Sequence, residues 1–149
     1  MTRDQVALVQ SSFQSVQPIL EPAALWFYDR LFEIDTSLRP MFRSSRQDQA
    51  RKLAQALAIV VAAIDRPETI RGAIESLGRR HAAYGVRDEH YATVGSALLW
   101  TLEQGLGDAF TPEVRDAWAA AYGWLAWTMR RAAAANPAAV MSDGAGTPA

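Results

Sequence analysis

The 149-residue chain contains no cysteine, and this absence excludes several kinds of site. Disulfides, iron–sulfur clusters, thiolate zinc sites and cysteine nucleophiles all need a thiol. A surplus of one charge is also missing, since 15 basic and 16 acidic residues give a net charge of -1. Nucleic-acid-binding domains carry clustered positive charge, so the composition argues against a nucleic-acid partner.

Long apolar runs are missing as well. No stretch reaches the ~18 consecutive apolar residues of a membrane-spanning helix, which predicts that the chain does not cross a membrane. The first ten residues, MTRDQVALVQ, lack the apolar core of a signal peptide. Together with the lack of cysteine, these features predict a cytoplasmic protein.

Strand patterns are scarce, and apolar residues recur at helical spacing almost throughout. The pattern predicts at least six helices, over about 4–17, 21–34, 48–64, 70–84, 88–106 and from 112 onwards. We expect Asp48 to cap the third of these helices and Thr111 to cap the last. The unequal lengths favour an irregular all-α packing over an up-and-down four-helix bundle.

The length fits a single domain, and the composition changes near its end. Residues 136–149 are rich in Pro, Ala, Gly and Ser, which is typical of disordered chain. We therefore expect one helical domain over 1–135 and a disordered tail over 136–149.

Only two histidines are present, and His81 lies on an apolar helix face. Ile74, Leu77 and His81 are three and four residues apart, so the imidazole is expected to point towards the core. On these residues alone, a buried neutral histidine paired with a backbone carbonyl is the simpler interpretation. The alternative is a metal ligand, because one imidazole is too few for zinc but enough for haem iron. His90 stands at a helix start among acidic residues, where we expect it to be solvated.

Two polar residues on the earlier helices are ambiguous on their own. Tyr28 follows two other aromatic residues, which indicates ordinary packing. Gln49 lies four residues before Leu53, so both share one helix face. A glutamine in a first helical turn is usually solvated.

Four segments form a series: FYDRLF at 27–32, LRPMF at 38–42, LGRRHAAYGVRDEHYATVG at 77–95 and DAWAAAYG at 116–123. In this order and spacing they resemble the bacterial single-domain haemoglobins and the globin part of flavohaemoglobins. The second half is also similar to neuroglobin-like chains. The resemblance covers about residues 4 to 132.

The resemblance implies an all-α globin fold, a three-over-three helical sandwich around haem b and its iron. It implies that His81 is the proximal iron ligand, and that Tyr28, Gln49 and Leu53 face the gas ligand on the distal side. The haem contacts that it implies are Phe42, Leu53, Leu57, Leu77, His81, Val86, Tyr91, Val94 and Leu98. Three basic residues are candidates to meet the haem carboxylates: Arg51, Lys52 and Arg80.

The implied function is reversible binding of dioxygen, for transport or storage, with nitric oxide and carbon monoxide as further ligands. Dioxygen takes on negative charge when it binds, and the Tyr28 hydroxyl and Gln49 amide can donate hydrogen bonds to it. One alternative is an enzyme, a nitric oxide dioxygenase that uses an external reductase. A haem-based gas sensor ranks lower, because no output domain is visible.

Two features depart from the family pattern. The loop between Phe42 and Gln49 is short for a flavohaemoglobin, so Gln49 can point in or out. Flavohaemoglobins place a glutamate on the last helix near the proximal tyrosine, whereas Ala133 stands at that place, which argues against peroxidase-like chemistry. No Gly-x-Gly-x-x-Gly motif occurs, so we expect any redox cycle to need a separate electron donor.

The last helix carries three tryptophans, at 118, 124 and 127. Its apolar stripe has room for Trp118 but not for all three. Exposed tryptophan is typical of protein interfaces, so this surplus predicts a weak homodimer.

Overall fold

The computed structural model describes residues 1–135, which form six α-helices and four short 3₁₀ turns and contain no strand. The helices are α1 (Arg3–Val16), α2 (Leu20–Ile34), α3 (Arg46–Ala63), α4 (Arg71–Ala83), α5 (Asp88–Leu106) and α6 (Pro112–Ala135). The 3₁₀ turns are Gln17–Ile19, Thr36–Met41, Pro67–Thr69 and Gly107–Ala109. The all-α prediction is confirmed over this range. The tail expected over 136–149 lies outside the described residues.

Side-chain caps explain where several helices begin. α1 starts with a capping box between Thr2 and Gln5, and Thr111 caps α6 as predicted. The prediction that Asp48 caps α3 is wrong. The Ser45 hydroxyl accepts the Asp48 amide at 3.1 Å, so the helix begins at Arg46. Two residues suited to the N-cap stand three apart here, and the earlier one takes the role.

The helices pack in a few large contacts. α6 lies against α1 and α4, while α2 lies against α5 and α3. In the core between α1 and α6, the Trp118 indole donates to the Ser12 hydroxyl at 2.9 Å, and the Phe13 ring packs 6.4 Å from it. α4 has no extensive contact with α2, α3 or α5. A cleft separates α4 from those helices, and this cleft is the candidate site.

Of the three tryptophans on α6, Trp127 lies on the surface. Trp127 is 51% exposed, and the Arg131 guanidinium lies 4.8 Å from its ring centre. Trp124 is half-buried and Trp118 is fully buried. The weak homodimer therefore stays a prediction, with Trp127 as its candidate contact. Over residues 1–135, no helix combines the length and the apolar character needed to cross a bilayer.

Candidate ligand-binding cleft

An apolar cleft of about 1050 Å³, including its open mouth, is lined by α2 to α6 and the segments that join them. Its lining is predominantly apolar, which suits a large apolar molecule. Ten of the eleven predicted site residues line the cleft: Tyr28, Phe42, Leu53, Leu57, Leu77, His81, Val86, Tyr91, Val94 and Leu98. The eleventh, Gln49, lies outside this lining.

One side of the cleft, which we call the proximal wall, is formed by α4 and α6 around His81. The Nδ1 atom of His81 lies 2.9 Å from the carbonyl oxygen of Leu77, one turn earlier in α4. A carbonyl oxygen only accepts, so the Nδ1–H of His81 donates, and in a neutral imidazole Nε2 is then the nitrogen that can ligate a metal. A backbone partner of this kind orients a metal-ligating histidine and raises its basicity.

The end of α4 returns the chain to the cleft. Gly85 has a φ of 92°, a conformation that L side chains rarely adopt. After this turn the Val86 amide donates to the His81 carbonyl at 3.0 Å, and Val86 lines the cleft. The glycine therefore places an apolar residue beside the histidine.

The proximal tyrosine predicted from the sequence is held by α6. The Tyr122 hydroxyl donates to the carbonyl of Tyr91 at 2.7 Å, and the Arg130 guanidinium lies 6.0 Å from the Tyr91 ring centre. Burial raises the pKa of Tyr91 to about 12, with a further rise from Asp88 and an opposing effect of Arg130. At the place where the resemblance would put a glutamate, α6 has Ala133. The charged residue of α6 that contacts Tyr91 is instead the cation Arg130.

The opposite side, which we call the distal wall, is formed by α2, α3 and the loop between them around Tyr28. Tyr28 is 2% exposed, and Phe27 and Phe42 meet its ring edge-on at 5.0 and 5.4 Å. Its hydroxyl has no hydrogen-bond partner. Burial raises the pKa of Tyr28 well above its usual value of 10.0, so the hydroxyl remains a proton donor.

Gln49 is turned away from solvent, although it does not line the cleft. It is 2% exposed, and neither its Nε2 nor its Oε1 atom has a hydrogen-bond partner. It sits one turn before Leu53, which lines the cleft. The expectation that a first-turn glutamine is solvated is therefore wrong, because α3 begins three residues before it and packs on α2.

A bidentate ion pair fixes the start of α3 beside α2. The Arg46 guanidinium donates to both carboxylate oxygens of Asp29, at 2.9 and 2.5 Å. Asp29 follows Tyr28, and Arg46 precedes Gln49 by three residues, so the pair ties the stretch of α2 that carries Tyr28 to the first turn of α3, which carries Gln49. Sequence reasoning missed this pair, because nothing local links positions 17 residues apart.

The distal wall fits a ligand that accepts hydrogen bonds. Buried polar atoms are almost always paired, and each unpaired one costs about 1–3 kcal/mol. In residues 1–135 the unpaired buried side-chain atoms belong to Tyr28, Arg30 and Gln49, and of these residues Tyr28 lines the cleft that also holds His81. Apolar surfaces, a histidine on one side and neutral donors on the other are the features that a haem with a gas ligand requires.

His90 corrects a further expectation. It is 6% exposed and lines the cleft. The prediction that it is solvated is therefore wrong. Its Nδ1 accepts the Arg87 amide at 2.9 Å. The signal was present in the sequence, since His90 is the third residue of α5 and that position reaches back to the N-cap amide.

The three basic residues proposed for the haem carboxylates are in different states. Arg51 forms an ion pair with Asp48 at 2.6 Å, while Lys52 and Arg80 are exposed. Their pairing with a haem stays a prediction. Over residues 1–135, no cluster of three or more His, Asp or Glu side chains is placed to hold a metal ion.

Comparisons with known sequences place the chain in a family. The profile of the globin family matches residues 25–129. A flavohemoprotein of Bordetella pertussis is 39% identical over 146 residues, covering 95% of this chain and 36% of the relative. A flavohemoprotein of Deinococcus radiodurans is 36% identical over 129 residues, covering 85% and 32%. The chain thus spans about a third of the length of these curated relatives.

Solved structures agree on the fold. A bacterial globin from Campylobacter jejuni superimposes with a TM-score of 0.81 at 24% identity, covering 92% of this chain and 99% of that chain. A carbene transferase engineered from a candidate nitric oxide dioxygenase of Rhodothermus marinus gives 0.84 at 27% identity, covering 95% and 99%. The predicted three-over-three helical fold is confirmed, and the chain belongs to the globin family of haem-binding proteins.

Proposed function

We propose that this protein is a haem b globin that binds dioxygen reversibly in the cleft between Tyr28 and His81. The observation that carries the proposal is the pair of buried, unpartnered donors on the distal wall, Tyr28 and Gln49. Tyr28 lines the same apolar cleft as His81, whose Nδ1 is bonded to the Leu77 carbonyl, and Gln49 is buried in the neighbouring helix α3. Dioxygen, the expected ligand, can accept hydrogen bonds from both.

The proximal residues hold the cofactor in this proposal. When bound, the haem supplies an iron atom that takes a diatomic gas as a ligand. His81 ligates through Nε2, because its Nδ1–H is committed to the Leu77 carbonyl. That carbonyl fixes the ring and strengthens its electron donation. Leu77, Val86 and Val94 supply apolar surface that keeps water away.

The distal residues select the gas. Tyr28 donates its hydroxyl proton and Gln49 donates an amide proton to a ligand that carries partial negative charge. The raised pKa of Tyr28 keeps that proton in place at any physiological pH. Carbon monoxide develops less charge, so the same donors favour dioxygen over it.

The test measures the oxygen dissociation rate of the haem-loaded protein by stopped flow. Tyr28→Phe removes one donor and is expected to raise the rate roughly tenfold or more. Tyr122→Phe is the matched control, since it removes a hydroxyl that donates to the backbone on the proximal side. We expect that control to change the rate by less than about threefold. An unchanged rate in Tyr28→Phe would exclude Tyr28 as the donor.

A second candidate function is nitric oxide dioxygenation with a separate reductase. It is favoured by the Rhodothermus marinus neighbour, which is described as a candidate nitric oxide dioxygenase, and by the flavohemoprotein relatives. Overall, nitric oxide, dioxygen and one electron combine to nitrate, so every turnover draws one electron from the reductase. The haem-loaded protein, supplied with excess dioxygen, nitric oxide, a flavin reductase and a reduced nicotinamide cofactor (NADH), should then form many nitrates per chain. A yield that stops at one nitrate per chain would exclude the enzyme and leave the oxygen carrier.

A further inference from the structure

We propose that Gly78 is a positioning residue for His81, because its missing side chain lets the α4 backbone rest directly on α6. We call this backbone contact between Gly78 and Met129 the seat of α4, and it determines the position of His81 in the cleft. The inference rests on the proposed function, since it concerns the ligand that His81 provides to the haem.

The two helix backbones approach unusually closely at this point. A Cβ atom placed on Gly78 would lie 2.6 Å from the Cα of Met129 and 2.7 Å from its carbonyl carbon, and nearer still to its carbonyl oxygen. Ordinary van der Waals contact begins at 3.4 Å. All three atoms belong to the backbone in the middle of α6, so no side-chain rotation makes room. An alanine at 78 must therefore push α4 outwards by about 1 Å.

Little else fixes the position of α4. Its N-cap, Ile70, makes no side-chain hydrogen bond to the helix start, and the hydrogen bonds after its far end return to α4 itself, as from the Val86 amide to the His81 carbonyl. Its extensive contacts are with α6 and with the turn Pro67–Thr69 that precedes it. The seat on α6 is therefore the main support of the helix that carries His81.

A movement of α4 changes the position of His81 in the cleft but leaves its hydrogen bond to the Leu77 carbonyl unchanged. Gly78 follows Leu77 and precedes His81 by three residues, so all three move together. The bond from His81 Nδ1 to the Leu77 carbonyl lies inside the helix and moves with it. The expected signature of a displaced seat is a strained bond between iron and His81, without a change in hydrogen bonding.

The test compares Gly78→Ala with Gly72→Ala in the full-length, haem-loaded protein. Both glycines lie in α4, and alanine is the better helix former at both. A Cβ at Gly72 has nothing within 4 Å, so helix propensity alone predicts the same outcome for both variants. The two measurements are the iron–histidine stretching band of the ferrous protein, by resonance Raman spectroscopy, and the rate of haem transfer to apomyoglobin.

The seat predicts different outcomes. Gly78→Ala should shift or broaden the iron–histidine band and speed haem transfer about tenfold. Gly72→Ala should leave both unchanged, with an equal or higher Tm. Equal behaviour of the two variants would overturn the proposal. A wild-type protein without any iron–histidine band would instead overturn the proposed function.

A second experiment detaches the ligand from the helix. His81→Gly is loaded with haem in the presence of free imidazole, with and without Gly78→Ala. The axial imidazole is then not tethered to α4, so the alanine should no longer shift the iron–imidazole band. A shift that persists would show a general disturbance of the cleft and would overturn the positioning role.

A milder variant covers the case in which Gly78→Ala does not fold. Ile74 is buried four residues before Gly78, on the same face of α4, and Ile74→Val introduces no clash. It should broaden or shift the band by a smaller amount, because it removes a buried methylene from the packed face of α4 one turn before Gly78. An unchanged band in that variant would overturn the proposal.

Discussion

The two walls of the cleft treat their polar groups in opposite ways. On the proximal wall, His81 Nδ1 and the Tyr122 hydroxyl both donate to backbone carbonyls. On the distal wall, the Tyr28 hydroxyl and the Gln49 amide have no partner. Pairing holds a side chain in one place, whereas an unpaired buried donor retains its bonding capacity. In the proposed function, the proximal wall therefore positions the cofactor and the distal wall binds the gas.

The unpaired groups of the distal wall lower the stability of the folded protein. Each unpaired buried group lowers the free energy of unfolding by about 1–3 kcal/mol. Stability that is given up at a binding site is a common trade-off in proteins. Substitutions on the two walls should therefore differ in sign, and this is the basis of the following predictions.

The largest effect is expected from His81→Ala, which removes the proposed proximal ligand. Haem content should fall from one per chain to near zero, as measured by the pyridine haemochrome assay. His90→Gln is the matched control, because a glutamine at the third position of α5 can still accept the Arg87 amide. Full haem content in His81→Ala would contradict the proposal that the proximal wall holds the cofactor through His81.

The next largest effect is a contrast between two identical chemical changes in the haem-free protein. Tyr28→Phe removes an unpaired hydroxyl and should raise the free energy of unfolding by about 1–3 kcal/mol. Tyr122→Phe removes a paired hydroxyl and should lower it by about 1 kcal/mol. Urea unfolding measures both. Changes of the same sign would contradict the comparison.

A smaller gain is expected from Gln49→Leu, which replaces the unpaired amide by a side chain of similar size. The free energy of unfolding should rise by about 1–2 kcal/mol, while the oxygen dissociation rate also rises. Gln55→Leu, on the exposed side of the same helix, should change stability by less than about 0.5 kcal/mol. A loss of stability in Gln49→Leu would mean that its amide is paired after all.

The smallest effect concerns alkaline pH. Burial raises the pKa of Tyr28 above 10.0, whereas the same tyrosine in the unfolded chain ionises near 10. Below that pH both states keep the proton and stability is full. As pH rises further, only the unfolded chain loses the proton, so stability falls. Tyr28→Phe should reduce this fall by a few tenths of a kcal/mol at about pH 10, and identical pH profiles would count against burial of the hydroxyl.

The sequence predicts the parts of this molecule that depend on local pattern. Helical spacing gave the six helices, and the apolar face containing Leu77 predicted that His81 points inwards. The resemblance supplied the cofactor and ten residues that line the cleft. Which of them hold the haem and the gas stays a prediction.

What the sequence could not predict depends on contacts between distant segments. The Arg46–Asp29 pair joins two helices, and the close approach at Gly78 involves the backbone of α6. His90 and Ser45 were missed for a different reason, since each is a local cap whose role depends on the residue at which its helix starts. An error of a few residues in a helix boundary reverses such an assignment.

The gap between α4 and the helix pair α2–α3 has a consequence for how this protein can change. Because the two walls share no extensive packing, substitutions on opposite sides should combine additively, within about 0.5 kcal/mol. In the proposed function, the gas preference can then change through substitutions on the distal wall while the proximal wall retains the cofactor. Such independence makes a small helical scaffold a good starting point for new reactivity.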